Sequence, residues 1–412
     1  MVNFRREAVF NMDLDFIKKL IKPAETKIVF LILDGLGGLP SDSHKLTELE
    51  KANTPNLDLL ATQGICGLQQ PVKTGITPGS GPGHLGLFGY DPIKYQVGRG
   101  VLSALGINFE LKSEDVASRG NFCTINQEGV VLDRRAGRIS TEKNKELCKL
   151  LRNIKIPNVD IIIETVKEYR FLLVWRGKDF SSDIMDTDPQ NIGIKALKPQ
   201  ARSKVAEKTA FIVGNFLEQA KKVLANQHPA NMVLLRGFSK KPNWPTMKDI
   251  YGLNCAAIAA YPMYRGLAKL LGMHILETGE TVKDEFNTLE SKWNDFDFFY
   301  VHIKKSDSSG EDGDFDQKVA VIEEVDKEIP RLIDLNPDVI VVSGDHSTPS
   351  ILKHHSWHPV PTLLWSKYCR TDNVKQFGER ACITGGLGPR FPSYDLMPLA
   401  LANADRLEKF GA

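Results

Sequence analysis

The sequence predicts an α/β fold, a sandwich of helices around a mainly parallel sheet, with a smaller α+β domain inserted. Three observations predict it. Continuous apolar runs occur at Ile28–Leu33 (IVFLIL), Phe298–Ile303 (FFYVHI) and Val339–Val342 (VIVV), and runs without alternation suit strands buried on both faces. Helical stretches lie between them, at Asn56–Thr62, Met263–Leu271, Phe315–Ile329 and Leu396–Leu407, and strand alternating with helix marks an α/β protein. From about Ser113 to Asn226 that rhythm gives way to shorter alternating segments, including Ser118–Ile125, Gly129–Leu132 and Phe171–Trp175. The expected division is therefore an inserted domain over 113–226, within a discontinuous larger domain of 1–112 and 227–412. Met232–Leu235 and Ala256–Ala259 are expected as further strands, and Met12–Ile21 as a short amphipathic helix.

The bulk composition narrows the function class. A chain of 412 residues with 42% hydrophobic and 25% charged residues is ordinary for a soluble globular protein. A formal net charge of +2 and the lack of any Lys/Arg run give no nucleic-acid signal. The longest apolar runs are strand-sized, far short of a membrane span, and the N-terminus does not read as a secretory signal. Six scattered cysteines without a CxxC pair fit free thiols in a reducing cytoplasm. No nucleic-acid or membrane partner is expected, and the chain is read as a monomer or homo-oligomer.

Three of the apolar runs lead into acidic or acid/His residues: Asp34, Asp307 just past VHIKKS, and Asp345-His346. Ligands of open α/β sheets sit at the carboxyl ends of strands. One such Asp is often only a helix N-cap. Three in one chain, with His355 after a further Pro-flanked segment, point to metal, since carboxylates crowded at one edge repel unless a cation lies between them. Oxygen and imidazole ligands suit Mn²⁺ or Zn²⁺. The stretch TPGSGPGH (Thr77–His84) holds a single serine, Ser80. It lacks the Gly-Lys-Ser/Thr ending of a nucleotide P-loop, so a presented serine nucleophile is the stronger reading.

With these pieces in hand, the sequence resembles the cofactor-independent phosphoglycerate mutases of the archaeal type, within the alkaline phosphatase superfamily. The resemblance is carried by LILDGLGG (31–38), NTPNLDLLATQG (53–64), TPGSGPGHLGLFGYDP (77–92), GRG (98–100), LDRRAGRI (132–139), IAAYPMYRGLAKLLGM (258–273), VHIKKSD (301–307), VVSGDHSTPS (341–350) and HPVP (358–361). It implies an alkaline-phosphatase-like three-layer sandwich and two divalent metal ions, Mn²⁺ first, with Mg²⁺, Zn²⁺ or Co²⁺ as alternatives. One ion would be held by Asp34, Ser80, Asp345 and His346, the other by Asp307, Glu311 and His355. It further implies 2,3-bisphosphoglycerate-independent exchange of 3- and 2-phosphoglycerate through a phosphoserine at Ser80. Arg119, Arg135 and Arg138 of the inserted domain would grip the small phosphorylated substrate, with Asp133 as general base or hydroxyl orienter. Lys304 and His84 complete the expected substrate contacts.

One position departs from the family pattern. The family segment reads TDxxGHDG, whereas Ser306–Gly313 reads SDSSGEDG, with Glu311 where a histidine ligand belongs. A carboxylate there makes the site harder and more anionic, favouring Mn²⁺ or Mg²⁺ over Zn²⁺. The alternative function is a phosphotransferase or phosphatase of the same superfamily acting on another small phosphorylated hydroxy compound. A different class, a silent relative that only binds a phospho-ligand, has no physical need for Ser80 and the ligands together. His44, His228, His274 and His302 are read as structural.

Overall fold

The computed structural model describes residues 14–43 and 45–411. Among them are thirteen strands: β1 (Ile28–Leu33), β2 (Ile65–Gln70), β3 (Val116–Ile125), β4 (Val131–Asp133), β5 (Asp160–Lys167), β6 (Arg170–Arg176), β7 (Met232–Ser239), β8 (Cys255–Ala259), β9 (His274–Leu276), β10 (Phe298–Ile303), β11 (Val339–Ser343), β12 (Val360–Ser366) and β13 (Gly388–Pro392). They form one sheet of eight strands and one of five. The chain divides into two compact units.

The larger unit comprises residues up to Gln96, Pro245–Tyr261 and the chain from Ala268 onward. Its sheet runs in the order β13-β2-β12-β11-β1-β10-β8-β9. β12 alone opposes its neighbours, and every other pair is parallel. All six residues of β1 are fully buried. Val29, Leu31 and Leu33 pack with Leu57 and Leu60 of the helix Pro55–Gln63 and with Val321, Ile322, Val325 and Ile329 of the helix Phe315–Asp334. Phe30 faces the other way, its ring 5.1 Å from that of Phe298, which in turn lies 6.5 Å from Phe88. Each of these side chains contributes roughly 1.5–3 kcal/mol by leaving water, which is why the apolar runs become two-sided interior strands.

The same helices are locked by polar substitutes for missing backbone bonds. Thr54 offers no side-chain cap to the helix it precedes. Asp326, 2% exposed, instead accepts from the backbone N–H groups of Asn56 and Leu57 at 3.1 and 2.8 Å. Pro330 inside the longer helix has no N–H for the Asp326 carbonyl. Asn56 Nδ2 donates to that carbonyl at 3.1 Å, so the proline leaves no orphaned acceptor.

The smaller unit spans Val97–Trp244 with Pro262–Leu267. It is an antiparallel sheet in which β3 pairs with β4, β6 and β7, and β6 with β5. Phe122 packs on Phe171 at 4.7 Å, and Trp175 meets Phe216 of the helix Glu207–Leu224 edge-on at 5.3 Å. This unit is wider than 113–226 at both ends. Met232–Leu235, expected with Ala256–Ala259, opens β7, which is zipped to β3 in the register Cys123↔Met232 to Ala117↔Ser239. That pairing draws the chain up to Ser239 into the smaller sheet, and the helix Arg99–Gly106 packs against β3 and β7 as well. The N-terminal helix is described over Leu14–Lys18; Met12, Asp13 and His44 lie outside the described residues.

Candidate active site

The register of the large sheet assembles the site. β1 sits between β10 and β11, pairing Leu33 with Ile303 and Ile32 with Ser343. The three strands therefore end side by side, and the residues that follow each one emerge on a common edge. Asp34 follows β1, Lys304 to Asp307 follow β10, and Asp345-His346 follow β11. Gly35 has to be glycine: its φ is +66°, and a Cβ would stand 2.6 Å from Thr348 Oγ1 and 2.8 Å from Asp307 Oδ1.

Ser80 arrives as the first residue of the helix Ser80–Leu87. Gly83 lets this helix lie on the β11 loop, since a Cβ there would be 2.2 Å from the Asp345 carbonyl oxygen. Ser80 Oγ stands 3.3 Å from His346 Nε2. Gly79 gives the helix no side-chain cap, and Pro82 has no N–H, so the Ser80 and Gly81 amides form the donor end of the helix. That end carries partial positive charge.

Two groups of ligand atoms share His346. Asp34, Asp345 and His346 form one, Asp307, His346 and His355 the other, with the atoms of each group within 4.8 Å of one another. The hydrogen bonds fix which imidazole nitrogen is bare. Thr348 Oγ1 donates to Asp307 Oδ1 at 2.7 Å, so its lone pair takes the proton of His346 Nδ1 at 2.9 Å. His346 Nε2 then points its own lone pair at Ser80, Asp345 Oδ2 (3.1 Å) and Asp34 Oδ1 (3.4 Å). His355 Nδ1 likewise donates to the Pro78 carbonyl at 3.0 Å, turning Nε2 toward Asp307 Oδ1 at 3.7 Å. The two imidazoles stack with centroids 3.6 Å apart.

The electrostatics call for cations. Burial first, and then His355, push the His346 pKa down to about 3, so the ring is neutral. Burial would raise Asp34, but Lys304, His302 and His346 outweigh it and hold its carboxyl well below the usual range. Lys304 Nζ lies 3.1 Å from Asp34 Oδ2 and also bonds Asp307 Oδ2. Burial would strip its proton; the two carboxylates more than restore it. Even so, three buried carboxylates face one ammonium. Asp34 Oδ1, buried, accepts no hydrogen bond from the described residues and confronts a bare imidazole nitrogen. Lone pair against lone pair is the arrangement that a divalent ion resolves, so the residues present fit such an ion.

A serine-bearing helix end set against carboxylate and imidazole groups, on the carboxyl edge of a parallel sheet, fits the metal-dependent enzymes of phosphoryl transfer. A family model described as 2,3-bisphosphoglycerate-independent phosphoglycerate mutase matches residues 61–231. A Thermosipho africanus protein named "Probable 2,3-bisphosphoglycerate-independent phosphoglycerate mutase" is 52% identical over 398 residues, covering 96% of this chain and 98% of the relative. One of the same name from Aquifex aeolicus is 51% identical, covering 97% and 100%. Among solved structures, the PH0037 protein from Pyrococcus horikoshii is similar with a TM-score of 0.81 at 30% identity, over 95% of this chain and 100% of that one. The cofactor-independent phosphoglycerate mutase from Thermoplasma acidophilum has a TM-score of 0.66 at 28% identity, over 92% and 99%. The chain belongs to the 2,3-bisphosphoglycerate-independent phosphoglycerate mutase family.

The structure brings together Asp34, Ser80, Lys304, Asp307, Asp345, His346 and His355. Glu311 lies at the margin, its side chain 56% exposed and Oε1 3.9 Å from His355 Nε2. His84, expected to touch substrate, is instead fully buried beneath the site. Its Nδ1 faces the Ser80 carbonyl at 2.8 Å and Asp345 Oδ2 at 3.1 Å. Burial lowers its pKa, and the neighbouring carboxylates of Asp345 and Asp34 raise it further than burial lowers it. His302, read as structural, stands directly behind Asp34, Nε2 to Oδ2 at 3.2 Å.

Asp133, Arg119, Arg135 and Arg138 belong to the smaller unit. The two oxygens of Asp133 accept the N–H groups of Arg135 and Gly137 at 2.7 and 2.5 Å, shaping the turn. Arg135 and Arg138 are exposed. Arg134, just before them in the chain, makes the bidentate pair, with Asp188 at 2.8 and 2.7 Å, and Arg236 joins at 3.4 Å. Arg236 sits opposite Arg119 in the β3–β7 register. Thr348, Arg134 and Arg236 went unrecognised in the sequence, although Thr348 and Arg134 lie within motifs that matched.

Proposed function

We propose that this chain interconverts 3-phosphoglycerate and 2-phosphoglycerate through a phosphoserine at Ser80, with two divalent ions, Mn²⁺ first, and without 2,3-bisphosphoglycerate. The observation that carries the reading is Ser80 Oγ at a helix start, 3.3 Å from the imidazole shared by both ligand groups. Asp34, Asp345 and His346 with Ser80 would hold one ion, and Asp307, His355 and Glu311 the other. Such ions supply charge for the attacking and leaving oxygens of an in-line displacement.

The chain's own residues do the rest. In the forward half, the Ser80 hydroxyl gives up its proton and Oγ bonds to phosphorus as the bond to the C3 oxygen of 3-phosphoglycerate breaks, and that oxygen takes up a proton. In the return half, the C2 hydroxyl gives up its proton and its oxygen bonds to phosphorus as the bond to Ser80 Oγ breaks, and Oγ takes up a proton again. The Ser80 and Gly81 amides at the positive end of the helix suit the phosphoryl oxygens, and Lys304 offers a proton-bearing cation on the same edge. In the smaller unit, the guanidinium groups of Arg119, Arg134 and Arg236 are of the kind that grips carboxylate or phosphate. A cytoplasmic setting is supported by six free thiols; among the described residues no helix is long and apolar enough to cross a membrane.

The test follows 3-phosphoglycerate by ³¹P NMR with Mn²⁺-loaded protein and no added bisphosphoglycerate. Appearance of 2-phosphoglycerate is expected. Release of inorganic phosphate alone would instead establish the phosphatase alternative, and no turnover with any of the four metals would overturn both.

A further inference from the structure

We infer that Lys318, a fully buried lysine, is a positioning residue that clamps together the loops after β1 and β11, which carry Asp34, Asp345 and His346. The inference rests on the metal-site reading above. Lys318 lies in the first turn and a half of the helix Phe315–Asp334 and has no exposed surface. Its Nζ donates to the carbonyls of Gly35 (2.9 Å), Gly37 (3.2 Å) and Thr348 (2.9 Å). Three acceptors need three protons, and only the charged ammonium has three.

Those carbonyls belong to the loops that follow β1 and β11. Gly35 is next to Asp34. Thr348 is two residues beyond His346 and carries the hydroxyl that sets the His346 tautomer and orients Asp307. The loops also touch directly, since the Thr348 N–H donates to the Gly35 and Gly37 carbonyls at 3.2 and 3.0 Å. Converging carbonyl dipoles in a dry interior repel one another unless a cation sits at their focus. Glu48, also fully buried, supplies the counter-charge, with Oε1 4.0 Å from Lys318 Nζ and bonded to the Ser350 N–H and hydroxyl. One ammonium thus fixes the spacing of Asp34 from His346 and Asp307 without touching any of them.

The direction of the effect separates positioning from charge. Removing a cation near a carboxylate cluster should, by electrostatics alone, tighten binding of Mn²⁺. Loss of the clamp should weaken it, by about 10–100-fold if Lys318 behaves like other partners behind metal ligands. The experiment titrates free Mn²⁺ by electron paramagnetic resonance against the parent, Lys318→Met and Lys318→Gln, and measures kcat and KM at saturating Mn²⁺. The expected result is weaker Mn²⁺ binding and lower kcat in the folded variants, with KM for 3-phosphoglycerate within about twofold of the parent, since Lys318 does not reach the substrate. Unchanged or tighter Mn²⁺ binding in a folded variant overturns the inference, even if its thermal midpoint falls. Should Lys318→Met fail to fold, Lys318→Gln, which keeps an amide donor, decides by the same bounds. A parent that binds no Mn²⁺ refutes the metal-site reading instead.

Discussion

Replacing Thr348 with valine removes one hydroxyl while keeping the shape of a fully buried side chain. That hydroxyl donates to Asp307 Oδ1 at 2.7 Å and accepts from His346 Nδ1 at 2.9 Å. Two consequences follow for metal binding. Asp307 loses a charge-assisted bond, worth about 1.5–3 kcal/mol in general, though a cation on the same carboxylate would recover part of it. His346 loses the acceptor that keeps its proton on Nδ1. The alternative tautomer, protonated at Nε2, then gains Asp345 Oδ2 at 3.1 Å and Asp34 Oδ1 at 3.4 Å as acceptors. A cation must reverse that proton placement before it can use the nitrogen. Taking one to two tenfold steps as the combined effect, at about 1.4 kcal/mol each, Thr348→Val should bind Mn²⁺ about 10–100-fold more weakly. Isothermal titration of the folded variant measures this, and Thr348→Ser, which retains the hydroxyl, should stay close to the parent. A valine variant within about threefold of the parent would refute the tautomer argument.

Further outcomes are expected elsewhere. Ser80→Ala should form no acid-stable phosphoprotein and lose mutase activity while retaining its fold; phosphate incorporation at parental levels would remove Ser80 as the carrier. Gly83→Ala should impair turnover and stability together, because the added Cβ would meet the backbone oxygen of Asp345 at 2.2 Å; a parental thermal midpoint would contradict that packing. Glu311→Ala should weaken one class of bound Mn²⁺, and Glu311→His should shift preference toward Zn²⁺; identical metal stoichiometry and preference in both would exclude Glu311 as a ligand. Glu285, only 3% exposed, has its pKa raised by burial from 4.5 to about 9, against the pull of Lys305. A raised folded pKa means its contribution is intact below pH 4.5 and is lost as pH rises toward 9, at up to about 1.4 kcal/mol per unit. Glu285→Gln should therefore match the parent near pH 4.5 and become progressively more stable by comparison up to pH 9 in denaturant melts; a pH-independent difference would count against it.

The parts of the site legible in the sequence are those where a one-dimensional signal coincides with the sheet's geometry. Asp34 and Asp345-His346 end apolar runs, and parallel register places such ends together whatever the intervening chain does. Local sequence does not name strand partners, however. Met232–Leu235 has the same apolar character as the interior strands of the large sheet, and only its pairing with β3 assigns it to the smaller one. The arginines of LDRRAGRI make a related point. Arg134, Arg135 and Arg138 are alike as letters, and it takes the fold to bring Asp188 within reach of the first and leave the others exposed.

Lys318 is the instructive case, because a signal for it existed. It precedes Val321, Ile322 and Val325 by three, four and seven positions, and so lies on the buried stripe of its helix. A lysine on an apolar stripe must find acceptors or lose its charge. The sequence could therefore have flagged Lys318 as a buried cation, but not its acceptors, which are backbone carbonyls and carry no side-chain identity. Lys304 shows the complement. The family resemblance implies a substrate contact for it, and the fold sets it between Asp34 and Asp307, side chains whose letters can be read. The two lysines thus share the loop after β1 but act by different physics, one neutralising carboxylates that a metal would also seek, the other gathering the peptide dipoles of the β1 and β11 loops. Removing either cation would, by charge alone, tighten Mn²⁺ binding, which is why weaker binding on loss of Lys318 reports geometry rather than charge.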